Sequence, residues 1–294
     1  MFFLPAILFT FFLGQADSPA IFDVRLGERI SADQLARRVQ ECDVVFFGEE
    51  YDQPAGHQLQ LALLERLHRQ QVDVVLSLEM FERDVQGALD DYLRGRIEED
   101  EFRRHAREWS NYEKDYRPLV EFARKHKIDV IAANVPRSLA RAVSEGKQPG
   151  PGDESFLPRE TTAPRDAYWE RFVQVMQEHN GAGSRESMRR YYRAQCLKDD
   201  AMAESIADYL ASHRHRQPLI LHLCGHFHSD FGHGTAGRFL SRRPLARIAV
   251  ISMEVTQSPA AVQLEGMDRR CHFLVALPKN ETREESQETP AAAR

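Results

Sequence analysis

The chain has 294 residues, enough for one large core carrying helical insertions, and at 42% hydrophobic it is too apolar to be a disordered chain. Its formal net charge of -6 gives no support to a phosphate-backbone partner. Basic residues are interleaved with acids (Glu65-Arg66, Glu82-Arg83-Asp84) as on solvated helix faces, so nucleic-acid binding is not expected.

The apolar run from Met1 to Leu13 is too short to span a bilayer comfortably. Gly14-Gln15-Ala16 follows, with small residues at the positions that a signal peptidase recognises. Residues 1–16 are therefore expected to be a secretory signal peptide, although no Lys or Arg precedes the apolar run. A misplaced start or an uncleaved anchor is the alternative. No cysteine occurs until Cys42, which argues against a lipoprotein. The expected location is exported, periplasmic or cell-surface.

Six short apolar, β-branched runs then read as strands: 43–47, 72–78, 129–133, 218–223, 247–251 and 273–277. A helical stripe (Leu59, Leu63, Leu64, Leu67) lies between the first two. Near-continuous apolar strands alternating with helices predict an α/β domain over 21–278, with a mainly parallel central sheet and helices on both faces. Residues 86–126 and 148–212 exceed simple crossovers and are expected to form a helical cap built from insertions. The tail, 279–294, is charged and rich in Ala, and is expected to be disordered.

In a parallel sheet, ligands bind outside the carboxyl ends of the strands. Four such ends are polar here: Gly48-Glu49-Glu50-Tyr51-Asp52, Glu79-Met80-Phe81-Glu82-Arg83, Asn134-Val135-Pro136-Arg137 and Gly225-His226-Phe227-His228-Ser229-Asp230. Singly, each has a structural explanation as a cap, a turn or an ion pair. Together they place carboxylates, an arginine, a tyrosine and histidines around one crevice. Glu79 directly follows an apolar strand, where a carboxylate needs a partner, and Glu49 is similar. Arg137 either reads a carboxylate or propionate with its planar fork or caps a helix end. Asn134 reads as a turn-former, and Trp109, Tyr112 and Tyr116 as core of the cap.

The four cysteines show no C-x-x-C spacing, which excludes a zinc ribbon or thioredoxin motif; Cys224 and Cys271 read as small buried hydrophobes. His222, His226, His228 and His233 invite a zinc assignment, yet strand alternation turns His222 away from a loop site, and no zinc-hydrolase motif occurs. A G-x-S-x-G elbow, a P-loop and a dinucleotide fingerprint are also absent.

The blocks Phe46 to Asp52, Leu78 to Gln86, Ala132 to Arg137 and Cys224 to Thr235, in this order, resemble the ChaN-like family of the haem-binding uptake and Tiki superfamily. Trp109 to Arg117 and Gln195 to Ala203 look like further blocks of it, and the likeness spans roughly residues 40–255. The superfamily's G-x-x-H motif is intact at Gly225 to His228, but its first copy reads Gly48-Glu49-Glu50-Tyr51, with tyrosine where histidine is usual.

The resemblance implies a non-catalytic haem-binding protein assisting haem or iron uptake, in dimers that hold paired haems. On that reading Tyr51 or His228 touches the iron, Arg137 pairs a propionate, and the partners are haem, a second copy and periplasmic or outer-membrane uptake components. A tyrosinate suits ferric haem. The alternative for Tyr51 is a phenol packed in the crevice against Glu79 or His228. The other branches imply a second reading, a hydrolase assisted by carboxylates or by a divalent metal such as zinc or manganese. Glu49 or Glu79 would then be the general base and His228 would orient or bind the metal.

Overall fold

The computed structural model describes residues 18–180 and 184–279. The expected signal peptide and, apart from Lys279, the expected tail lie outside the described residues. Eight strands form one sheet: β1 (Ala20–Asp23), β2 (Glu28–Ile30), β3 (Val44–Glu49), β4 (Val74–Glu82), β5 (Val130–Asn134), β6 (Leu219–Gly225), β7 (Ile248–Thr256) and β8 (Phe273–Pro278), in the order β2-β1-β8-β7-β3-β6-β4-β5. The six strands β3 to β8 run parallel, and β1 and β2 add an antiparallel edge.

The helices among the described residues are α1 (Ala32–Val39), α2 (Pro54–Arg69), α3 (Gln86–Leu93), α4 (Glu99–Ala106), α5 (Arg117–His126), α6 (Arg137–Ser144), α7 (Ala167–Asn180), α8 (Arg185–Ser212) and α9 (Gly234–Arg242). Alternate strand residues divide between the two faces. Val45, Phe47, Leu76, Leu78, Leu221 and Leu223 pack with Leu63 and Leu67 of α2, Leu89 of α3 and Leu119 of α5. Val44, Phe46, Val75, Ile220 and Val250 pack with Met202 and Ile206 of α8 and Phe239 of α9. Both faces are therefore covered, which explains the unbroken apolar runs.

Two details refine the expected cap. The insertion between β4 and β5 shares the core of the sheet, with Tyr92, Phe102, Tyr112 and Tyr116 inside it. The second half of α8 covers the sheet, while its first half packs Met188, Tyr192 and Cys196 against Tyr168 and Phe172 of α7. The physical reason lies in α8 itself, whose Ala201, Met202, Ala203 and Ile206 are buried against strands. A cap distinct from the sheet is thus built around α7 and the start of α8.

The edge strand β5 is closed by a side chain. Gln86 donates to the Val130 carbonyl at 2.9 Å and accepts from the Ala132 amide at 2.7 Å, occupying backbone groups that would otherwise invite another strand. All four cysteines are free, and Cys224 and Cys271 are buried. Among the described residues, no helix is long and apolar enough to cross a membrane.

Candidate functional site

Parallel pairing brings the ends of β3, β4 and β6 together, with β6 in the middle. Glu49 registers with Gly225, and Glu79 accepts from the Gly225 amide at 2.9 Å, so two buried carboxylates flank one glycine. The first motif glycine makes this possible. A Cβ on Gly48 would stand 2.7 Å from the His226 Cα, so only glycine lets the turn after β6 lie this close to β3.

The Glu79 side of the crevice is an ion network. His228 places Nε2 3.2 Å from Glu79 and Nδ1 2.6 Å from Asp199 of α8. Asp199 also accepts from Thr235 at 2.9 Å and from the Tyr168 hydroxyl at 2.8 Å, and the Gln195 amide lies 3.3 Å from the imidazole. Burial alone would push His228 down; the Glu79 and Asp199 carboxylates outweigh it and hold the ring up at about 10. Burial would likewise raise Glu79, but His228, Lys198 and the Gly225 amide hold it at about 2. Both nitrogens of His228 are thus engaged by carboxylates, an arrangement that favours its charged form.

The Glu49 side behaves in the opposite way. Glu49 accepts from the Tyr116 hydroxyl at 2.5 Å and from Gln60 at 2.9 Å, and His57 lies 3.7 Å away. Burial pushes its carboxyl up, and these partners offset this only in part. His57 turns its other nitrogen toward Asp115 at 3.6 Å, and Asn111 donates to Asp115 at 2.9 Å. A five-residue π-helical turn, Tyr112–Tyr116, points Asp115 and Tyr116 inward together. The two glutamates thus sit in environments that drive their protonation apart.

A third group lies beside them. Asp230, fully buried, meets Arg270 at 2.8 Å, His226 at 3.0 Å and Arg171 at 3.2 Å, and His226 reaches Glu50 at 3.4 Å. Arg171 also lies over the Phe227 and Phe231 rings.

The remaining expected residues stand apart. Tyr51 is 46% exposed, with its ring beside Trp109 and its hydroxyl 3.4 Å from Ser110; no contact with Glu79 or His228 is formed. Arg137 donates through Nε to Glu82 at 2.5 Å and through Nη2 to the Arg107 carbonyl at 2.6 Å. Asn134 bonds the Val135 amide and the Glu79 carbonyl, fixing the local backbone as expected of it. His222 is buried against Ser77 at 2.9 Å. Tyr116, read as cap core, also belongs to the site through Glu49.

Several members were not legible. His57 and Gln60, three residues apart at the start of α2, carried a signal in their spacing just after a strand end. Gln195 and Asp199 lie in the block Gln195 to Ala203 that resembles the family, but no role follows for them from that likeness; that role, and the place of Tyr168, come from the packing of α7 and α8. Among the described residues, no group of three or more His, Cys, Asp or Glu side chains is arranged to hold a metal ion. Two surface clefts, of about 380 and 440 Å³, share no lining residue with the Glu49, Glu79 and His228 crevice.

Comparison with solved structures finds ChaN of Campylobacter jejuni, described with cofacial haem binding, at 18% identity over 87% of this chain and 96% of that one, with a TM-score of 0.67. At that identity the likeness establishes the fold. The type III effector HopBA1 matches at 13% identity over 85% of this chain and 94% of its own, with a TM-score of 0.48. No curated protein matches the chain. The family model for haem-binding uptake, Tiki superfamily, ChaN matches residues 35–239, well over half of the sequence. The chain belongs to this ChaN family of haem-binding uptake proteins.

Proposed function

We propose that this protein binds haem through Tyr51 and assists haem or iron uptake without turnover, as an exported, periplasmic or cell-surface protein. The observation that carries the reading is the state of Tyr51. It stands where the first motif usually has histidine, follows the carboxyl end of β3 half-exposed beside Trp109, and among the described residues its hydroxyl contacts Ser110 at 3.4 Å. A phenolate oxygen is a hard anionic donor suited to ferric haem, and the donor set here fits that group. The exposed Phe231 and half-buried Phe227 supply further apolar surface near the same sheet edge.

His228 takes a different part in this reading. Its nitrogens are committed to Glu79 and Asp199, so it acts as a fixed cation under the crevice and iron ligation falls to Tyr51. Arg137 would have to share its fork with Glu82 to pair a propionate. A homodimer and uptake components as partners belong to the same proposal. Hemin titration of the mature protein tests it: a saturable Soret shift whose spectrum changes in Tyr51→Phe is expected. No saturable shift, or an identical spectrum in that variant, overturns it.

One observation favours a second reading as a hydrolase. Glu49 is pushed up while Glu79 is held at about 2, the divergence that separates a general acid from a general base. Stoichiometric zinc or manganese in the isolated protein, without haem affinity, would favour it.

A further inference from the structure

The last turns of α2 and α5 meet through three rings. His68, in the last turn of α2, has its ring centre 4.5 Å from that of His126, in the last turn of α5. Phe122, one turn before His126, lies 4.3 Å from His126 and edge-on to His68 at 5.7 Å, so one phenyl ring packs against both imidazoles. Both histidines are half-buried at the surface. Neither belongs to the crevice around Glu49, Glu79 and His228.

The surroundings favour a cation at the two rings. Carbonyls without intrahelical partners gather at a helix C-terminus and carry partial negative charge, and two such ends meet here. Glu65, one turn before His68 on α2, is exposed and adds a carboxylate on the same side. The neighbouring arginines are turned elsewhere: Arg66 donates to Asp33 at 2.7 Å, Arg69 reaches Asp33 at 3.9 Å, and Arg124 lies over the Tyr92 ring. Partial burial, His68 and Lys125 push His126 below its ordinary value, against the pull of Glu65. The ring is thereby kept in the neutral form that metals bind.

The spacing of the rings selects among metals. With metal–nitrogen bonds of about 2.0–2.1 Å, an imidazole centre stands roughly 3.2 Å from the ion. Two imidazoles at a right angle then have centres roughly 4.5 Å apart, and two at the tetrahedral angle roughly 5.2 Å apart. The observed 4.5 Å matches the right angle, which belongs to tetragonal copper(II) or nickel(II) rather than to tetrahedral zinc. Copper(II) also leads the affinity order at nitrogen sites. We propose that His68 and His126 bind a copper(II) ion, each through one ring nitrogen in adjacent positions, with water completing the shell. It is a two-ligand site, since among the described residues no third His, Cys, Asp or Glu is arranged to join them. It uses neither Tyr51 nor His228, so it goes beyond both readings above.

Copper(II) chloride is titrated into the full chain and followed by its visible absorption, and the bound ion is then probed by pulsed electron paramagnetic resonance. A saturable ion coupled to two imidazoles is expected, bound at least tenfold more weakly in His68→Gln and in His126→Gln. Nickel(II) should occupy the same site with lower affinity. His213→Gln is the control, because that ring stands 6.4 Å from His215 and hydrogen-bonds Ser212, and it should leave the affinity unchanged. Absence of saturable binding, coupling to a single imidazole, or an equal loss in His213→Gln each overturns the site. Affinity unchanged in both His68→Gln and His126→Gln would mean an adventitious ion only and overturns it as well. The resonance measurement is made on the unsubstituted chain, so it decides the matter even where a variant fails to fold. None of these outcomes depends on the hemin titration, which tests Tyr51.

Discussion

The Nδ1 atom of His228 lies 2.6 Å from Asp199, joining the turn after β6 to the middle of α8. Asp199 is fully buried and also holds Thr235 and Tyr168, so a single carboxylate locks the second motif, α7, α8 and α9 together. Removing it leaves an imidazolium buried with half its compensation. Asp199→Ala is therefore expected to cost roughly 3 to 5 kcal/mol of stability, as for other broken buried ion pairs. Urea denaturation measures it, and a loss below about 1 kcal/mol, the typical effect of a point mutation, would refute the locking role.

Two histidines of β6 and its turn should titrate on opposite sides of the ordinary value. His228 is held up at about 10 against 6.5, so its charged form stabilises the fold fully below pH 6.5 and that contribution is lost as pH rises through about 10. His222 is pushed down to about 4 by burial, so its neutral form is favoured, and stability falls as pH drops from 6.5 toward 4. Glu79 and His228 titrate as one coupled pair, so the His228 value belongs to the pair. Ring-nitrogen NMR resolves them: at pH 7.5 His228 should carry two N–H groups and His222 one. Two neutral rings at that pH would contradict the network.

How far such a site is legible depends on which force places each residue. The ends of β3, β4 and β6 could be read because an apolar run must stop at a polar residue, and in a parallel sheet those stops converge. Glu49, Glu79 and His228 were found that way. Asp199 stands in the block Gln195 to Ala203 that resembles the family, but nothing assigns it to the crevice, because its part appears only when α8 is laid against the sheet. The strands β1 and β2, of four and three residues, were too short for periodicity to register, and the pairing of β1 with β8 and of β2 with β1 supplies what local pattern lacks. Tyr116 shows the limit in the other direction: its buried ring fits the expected core role, while its hydroxyl serves Glu49.

The closure of β5 by Gln86 has a consequence outside the crevice. Gln86→Ala frees the Val130 carbonyl and the Ala132 amide on an edge strand, groups suited to pairing with another chain. The variant is expected to lose about 1 to 2 kcal/mol, from two hydrogen bonds, and to self-associate at concentrations where the parent does not. Light scattering across a dilution series reports this. Unchanged mass together with unchanged stability would show that the side chain is dispensable there.

The two motif glycines should respond unequally to the same substitution, although the sequence presents them as equivalents. A Cβ at Gly48 meets the His226 Cα at 2.7 Å and the Ser229 Oγ at 2.9 Å, and backbone of the neighbouring turn cannot yield as a flexible side chain would. At Gly225 the nearest atom is the His228 Cδ2, at 3.8 Å, which is ordinary contact, and its φ of -56° suits any residue. Gly48→Ala is therefore expected to destabilise the fold by about 1 to 3 kcal/mol, the usual cost of overpacking, by driving the β6 turn off β3 and separating the Glu49 side of the crevice from the His228 side. Gly225→Ala should stay within about 0.5 kcal/mol of the parent. Denaturation midpoints of the two variants, measured side by side, decide the matter. Equal losses would mean that the glycines serve local backbone freedom, and that the close approach of the two turns is not what the first motif glycine provides.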